Sequence, residues 1–370
     1  MEIKKMKNIK KHNILPKIPD NLAFHLEHAL FLDIETTGFS CSRSRLYLIG
    51  AAYVTNNVLM TEQFFAEALE EEPQLLAAFD KLLEQFNTII TFHGNRFDLP
   101  FLESCKRRQN IDSVHHNIYY VDLYETAHSY RHIFGLQNYK QKTLELFLGL
   151  HRKDIYSGKE LISCYHSYIK NPQQELLELL LQHNLDDIVG MVHLLSLFTY
   201  DLFFHGGFQP IECIQTSYRK ADHSDGKELS VICQLEASLP TAISCKNNHF
   251  YLHAKGAQAC FCIPILEDTL KYFYPNYKDY YYLPNEDIAV HKSVATYVDA
   301  SHREKAKAAN CYSKKAGLFL PQYQEVITPA LYTQYKSCVS YFEWNPKVKE
   351  DHLLIKQYCM HILQTLKNGL

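Results

Sequence analysis

The chain has 370 residues, long for one compact domain and natural for two. Apolar residues make up 46% and the formal net charge is −3, so a core can form, but no global positive field draws the chain to nucleic acid; any such surface has to be a local patch. The eleven cysteines are scattered without a CxxC pair, the tightest being Cys260-Phe261-Cys262, which fits neither a zinc site nor a secreted disulfide frame and reads as reduced thiols in the cytoplasm.

Residues 1–21 open MEIKKMKNIKKHNILPK, basic but without an apolar segment or a small-residue cleavage site. This reads as a flexible, solubilising tail, not a secretory signal. No run of membrane-spanning length is expected, so no membrane partner is expected either. The apolar run Ala29-Leu30-Phe31-Leu32 then enters Asp33-Ile34-Glu35. Strand alternation puts Asp33 and Glu35 on one face and Ile34 on the other. Two carboxylates side by side repel unless something positive lies between them, and a divalent cation is the economical answer. Thr36, Thr37 and Gly38 end the strand with small residues that leave room for a substrate. Taken alone, the motif reads as a strand end with solvated acids.

Leu46–Thr55 and Val58–Ala68 read as two more strands joined by Asn56-Asn57, which makes an antiparallel meander. Glu70-Glu-Glu-Pro73 opens a helix with Leu75, Leu76, Phe79, Leu82, Leu83 and Phe86 as its core stripe. Asn87–Phe92 is a fourth strand, reached by a parallel crossover. It delivers His93-Gly94-Asn95-Arg96-Phe97-Asp98-Leu99-Pro100. Asp98 begins the next helix, where it serves as a cap or, beside the first acid pair, as a further ligand. Asn117–Leu123 is a fifth strand ending in Asp122, either a cap or an outer support of the site. Lys142–Gly149 is a short helix stopped by glycine. From Pro172 to about Phe204 runs a long helix carrying His183-Asn184-Leu185-Asp186-Asp187. His183 and Asp187 share a face one turn apart, as an ordinary helix pair or as a titratable base beside a ligand, with Asp186 as the alternative ligand.

From about Gly206 the pattern changes. Short strands are expected over Lys227–Leu239, Ala242–Ser244 and His249–Ala254, and a helix over Leu266–Phe273. A tyrosine cluster (Tyr272, Tyr274, Tyr277, Tyr280, Tyr281 and Tyr282) follows, then a basic helix with Arg303, Lys305 and Lys307, and an amphipathic helix over Asp351–Leu366. Rings followed by basic residues suit a single-strand platform; the competing reading is a tyrosine-rich core with a solvated basic helix.

Strand with Asp-x-Glu, then Phe-Asp-x-Pro-Phe-Leu, then a helix with His-x-x-x-Asp: this order resembles the DEDD exonucleases of the ribonuclease-H-like fold. Through HGNRFDLP, the KTLE helix and HNLDDI it is similar to their bacterial YprB-type branch, over roughly Leu22 to Phe204. The resemblance implies an α/β fold, a ribonuclease-H-like mixed five-stranded sheet flanked by helices over residues 22–205. Residues 206–370 form a smaller α+β accessory domain of unrecognised fold, a candidate for substrate binding. It implies the four acids Asp33, Glu35, Asp98 and Asp187 as ligands of two Mg²⁺ or Mn²⁺ ions about 4 Å apart. Asp33 would bridge both ions, Glu35 and Asp187 would complete one, and Asp98 would hold the other through water. His183 would be the general base, with histidine-subclass chemistry at the spacing of the tyrosine subclass. Thr36, Thr37, Gly38, Asn95 and Phe97 are candidate substrate contacts and Asp122 a supporting residue. The implied activity is 3′–5′ exonucleolytic hydrolysis of single-stranded DNA or RNA. The alternatives are a nucleic-acid-binding or scaffold protein that keeps the fold without turnover, and a protein-binding module through the aromatic half.

Overall fold

The computed structural model describes residues 6–20, 22, 24–111, 117–152, 156, 158–219, 223 and 225–370. Met1–Lys5 of the basic terminus, and Asp222 and Ser224 of the polar run after Gly206, lie outside the described residues. The chain divides into two compact units, residues 1–131 with 135–201, and residues 132–134 with 202–370.

The first unit holds a mixed sheet of β1 (Lys7–Asn13), β2 (Ala29–Thr36), β3 (Leu46–Thr55), β4 (Val58–Phe65), β5 (Thr88–Thr91) and β6 (Tyr119–Asp122), in the order β1-β4-β3-β2-β5-β6. The expected meander is there: β2, β3 and β4 are antiparallel, and Asn56 and Asn57 both take positive φ, the conformation a tight two-residue hairpin requires. The crossover through α1 (Glu72–Leu83) makes β5 parallel to β2, and that through α2 (Asp98–Arg108) makes β6 parallel to β5. α3 (Leu123–His128), α4 (Arg131–Phe134), α5 (Gln141–Phe147), α6 (Gly158–Lys170), α7 (Gln174–Leu194) and α8 (Phe198–Phe204) follow.

The sheet has six strands where five were expected. Instead of a flexible tail, residues 7–13 form an edge strand on β4. Their lysines do not repel one another into solvent. Lys7 pairs with Glu67 at 2.7 Å, Lys10 with Glu62 at 2.9 Å, and the Asn8 amide donates to Glu62 at 2.7 Å. The helical run Gln174–Phe204 is, by length and composition, long and apolar enough to cross a membrane, contrary to the sequence reading; most of its apolar window is buried inside the protein. Leu177, Leu180, Ile188 and Met191 are core residues. Sequence periodicity also passed over α6, whose Leu161, Tyr165 and Tyr168 are buried, with Tyr165 stacked on Tyr47 at 3.9 Å.

The second unit is sheet-rich. Its five-stranded antiparallel sheet uses β7 (Phe208–Arg219), β8 (Asp225–Lys246) and β9 (Tyr251–Phe273). A three-stranded sheet follows, from β10 (Tyr280–Leu283), β11 (Ile288–His291) and, after the single turn α9 (Lys292–Ala295), β12 (Glu304–Lys305). β13 (Tyr312–Gln322) and β14 (Ser340–Glu343) complete the larger sheet, and α10 (Pro346–Glu350) and α11 (His352–Lys367) close the chain. Two sequence readings fail here. Leu266–Phe273 is the end of β9, not a helix: Leu266 and Leu270 are four apart, a spacing that fits a helix turn and one face of a strand equally, and they pack with Phe319 and Leu331. The segment with Arg303, Lys305 and Lys307 is strand and turn, not a basic helix, as a spacing of two should have indicated. Most of the tyrosine cluster is occupied internally. Tyr282 and Tyr312 both donate to Asp287, Tyr274 stacks on Tyr280 at 4.4 Å, and Arg303 lies 5.0 Å over the Tyr281 ring.

Candidate metal centre

β2 builds the first half of the site. Ala29 to Leu32 are fully or almost fully buried, Ile34 turns into the core, and Asp33 and Glu35 share the opposite face, where they are mostly covered. Beyond them the small polar residues serve the turn itself. The Thr36 hydroxyl donates to the Gly38 carbonyl at 2.8 Å, and the Thr37 hydroxyl accepts from the Arg45 N–H at 2.9 Å. A Cβ on Gly38 would sit 2.8 Å from the Ser44 Oγ. These three candidates shape the strand end and keep their polar atoms on it.

α7 supplies the facing half. His183 Nε2 lies 3.2 Å from Asp187 Oδ2 and 3.7 Å from Glu35 Oε1. Ligand atoms of Glu35, His183 and Asp187 all fall within 4.8 Å of one another, close enough to share a cation. Between the two acidic positions stands a residue to which the motifs assign no role. Asn184 is fully buried, and its amide donates to Asp33 Oδ2 at 2.7 Å while its carbonyl accepts from the Gln63 amide at 2.8 Å. Room for it comes from Gly50, which pairs with Asp33 across β2 and β3; a Cβ there would lie 2.1 Å from Asn184 Oδ1. The signal was present in the quoted HNLDDI segment, but only the register makes Gly50 and Asn184 neighbours. Asp186 turns away and accepts from the Gln182 amide at 2.7 Å.

Asp98 is 6% exposed, and its Oδ1 accepts from the Ile34 N–H at 3.1 Å, which presses the start of α2 against β2. Asp122 caps α3 through the Tyr124 N–H at 3.0 Å and also clamps the loop before α2. It accepts from the His93 N–H at 2.8 Å and the Asn95 N–H at 3.3 Å. That clamp holds His93 at a φ of +63°. Asp122 is thus a helix cap that also braces the loop leading to Asp98. The Asn95 side chain is exposed, and Phe97 packs edge-on against Phe39 and tilted against Phe101.

Two adjoining cavities meet at Asp33. One, of about 760 Å³, is lined by Asp33, His183 and Asp187 together with Tyr124, Lys140 and Lys142. The other, of about 460 Å³, is lined by Asp33, Asp98, Phe39, Phe97, His93 and Arg96. The structure thus gathers all four predicted acids and His183 around one place. Tyrosines and lysines beside the acids are local features that composition could not locate.

Electrostatics divides the cluster. Burial, and then the charges of Asp187, Asp98 and Glu35, push the Asp33 carboxyl well above the usual range, against the Asn184 hydrogen bond. Burial pushes Asp98 up to about 7, opposed by its backbone hydrogen bonds and assisted by the charges of Asp122 and Asp187. Burial would raise Asp187 too, but the His183 hydrogen bond and the Arg152 charge outweigh it and hold this acid below its ordinary value. Acids short of positive charge on one side of a small site are what a divalent cation would satisfy, and the carboxylate oxygens present are donors that a hard cation takes.

Residues 30–199 match the model of the RNase_H superfamily, and the first unit has the ribonuclease-H-like fold. Among solved structures, the chain is similar to the family B DNA polymerase of the hyperthermophilic archaeon Pyrobaculum calidifontis, at 15% identity and a TM-score of 0.37, over 48% of this chain and 25% of that one. It is also similar to E. coli exonuclease I in complex with a dA16 oligonucleotide, at 14% identity and a TM-score of 0.28, over 57% of this chain and 55% of that one. The chain therefore spans between a quarter and just over half of the length of these structures. No curated protein sequence matches it.

Proposed function

We propose that the first unit is a metal-dependent nuclease that hydrolyses phosphodiester bonds, acting as a 3′–5′ exonuclease on single-stranded DNA or RNA. One observation carries this reading: Asp33, Asp98 and Asp187 come from β2, α2 and α7 to line adjoining cavities that share Asp33, and a ligand atom of Glu35 lies within 4.8 Å of those of His183 and Asp187. Asp33, Glu35 and Asp187 would hold one Mg²⁺ or Mn²⁺ ion, and Asp98 with Asp33 a second. When bound, such ions supply Lewis acidity, which lowers the pKa of a water and offsets charge on the leaving oxygen. His183, between Glu35 and Asp187, would take up the proton of an attacking water. Lys140 and Lys142 give the larger cavity the positive charge a phosphate backbone needs, and Tyr124 and Tyr139 give it faces for bases. Phe39, 74% exposed against Phe97 at the smaller cavity, adds an apolar face beside Asp98.

A second reading, a strand-binding protein without turnover, is favoured by one contact: Arg152 already brings a fixed positive charge to Asp187. Single strands labelled at either end separate the two. Mn²⁺-dependent release of mononucleotides from the 3′ end is expected from the full chain, and binding without release would favour the second reading. Asp33→Ala is expected to abolish hydrolysis while the circular dichroism of the fold is kept. Retained metal-dependent hydrolysis in that variant would remove Asp33 from the site.

A further inference from the structure

Arg152 follows the glycine-stopped α5, at a position where the sequence gives no catalytic signal. Its side chain is 10% exposed and makes a two-point pair with Glu145, through Nε to Oε2 and Nη2 to Oε1. Glu145 is 1% exposed. The remaining arm, Nη1, donates to Asp187 Oδ1. The contact is built in from several sides. The Gln141 amide bridges Glu145 Oε1 at 2.9 Å and the Asp187 carbonyl at 2.7 Å, which ties α5 to α7. Gly190, one turn beyond Asp187, makes room for the cluster. A Cβ there would lie 2.0 Å from Glu145 Oε1, 2.8 Å from Arg152 Nη2 and 2.9 Å from Gln141 Nε2.

Both oxygens of Asp187 are therefore engaged, Oδ1 by Arg152 and Oδ2 by His183. An exposed lysine in this place could swing away at little cost. A guanidinium held in a fork by a buried carboxylate cannot, because leaving would strand Glu145. Arginine also keeps its charge at every working pH, so no proton loss clears the contact.

Resting on the metal-centre reading above, we propose that Arg152 is a tethered competitor for the divalent cation at Asp187: it keeps Oδ1 for itself, restricts Asp187 as a ligand to Oδ2, the oxygen that Asp187 shares with His183, and lowers the affinity of the site for the ion. Arg152 is in this sense a positioning residue. It acts on the cation through Asp187 and touches no reacting atom.

The test is Mn²⁺ binding by the full-length chain, followed by the electron paramagnetic resonance of the free ion, with no turnover in the readout. Arg152→Gln combined with Glu145→Gln removes the pair without changing net charge, and leaves an oxygen at position 145 for the Gln141 amide. This double variant is expected to bind Mn²⁺ about tenfold more tightly, the scale of one charge-assisted hydrogen bond. Adding Asp187→Asn is expected to erase the gain, an outcome that a general loosening of the fold would not produce. Arg152→Lys provides a second variant that keeps Glu145 paired. One ammonium cannot serve both carboxylates in the fork geometry, so tighter binding is expected there as well. Unchanged or weaker Mn²⁺ binding in both variants overturns the proposal. If in that case the wild type binds Mn²⁺ and Asp33→Ala loses it, the metal-centre reading survives and only the role of Arg152 falls. If no chain binds Mn²⁺, both fall together.

Discussion

Asp98 is a carboxylate with few ways to offset its charge: nearly buried, near two other acids, and hydrogen-bonded to a single strand N–H besides its own backbone. Its folded pKa of about 7 stands above the ordinary 3.8. Between those values the folded chain retains a proton that the unfolded chain has released, so stability falls as pH rises through this window. Above about 7 the penalty is complete. Asp98→Asn removes the titration and keeps an oxygen for the Ile34 N–H. The variant is expected to be more stable than the wild type near pH 8, on the order of 2 kcal/mol, with the gain fading toward about pH 4. Urea melts at several pH values read this directly, and equal midpoints throughout would show that the carboxylate carries no such penalty. A carboxylate that destabilises the fold is expected where a charge is held for a ligand and not for packing.

At the scale of elements, the site depends on the register of β2 on β3. Asp33 faces Gly50, and the missing side chain lets α7 press Asn184 into the sheet, where it links Gln63 on β4 to Asp33 on β2. Gly50→Ala would place a methyl group inside that amide. It is expected to cost about 1–3 kcal/mol, as overpacking of a close-packed core does, and to weaken Mn²⁺ binding because Asp33 loses its donor. A denaturant midpoint and a Mn²⁺ isotherm both within error of wild type would mean that Asn184 has another place to go. A second staple sits away from the acids. Glu72 is wholly buried and takes hydrogen bonds from Arg45, Arg108, Gln109 and the Leu46 N–H, tying α1 to β3 and α2. Burial opposes its charge, but these partners prevail and hold it below its ordinary value, so its contribution is present at neutral pH and is lost in acid.

Across the whole molecule, the acids and the basic-aromatic sheets belong to different units, each with its own core. Bound cation is expected to stabilise the native state only where it binds. Mn²⁺ should therefore slow amide exchange in β2, in the first turn of α2 and in α7 near Asp187, and leave the strands of the second unit unchanged. Protection spread evenly over β8 and β9 would count against a centre confined to the first unit. The sequence served the two units unequally. In the first, the periods of strand and helix are clear enough to put Asp33, Glu35, Asp98, His183 and Asp187 on their elements, while their grouping as a site came from the order of the motifs and the resemblance it carries. In the second, Leu266 and Leu270 satisfy two periods at once, and only pairing with β13 decides between them.

What the amino-acid sequence determined by itself was local: which acids stand at strand ends and helix starts, which residue faces the core, where the chain must turn. These follow from covalent order and from the periods of helix and strand. Tertiary packing alone decided which oxygen meets which partner. The basic terminus became an edge strand because Glu62 on β4 and Glu67 just beyond it were within reach of its lysines. Gly50 and Gly190 matter through the side chains that other elements bring against them. Arg152 reaches Asp187 across 35 residues of chain because α5 packs on α7, a contact whose energy exists only once both helices are in place.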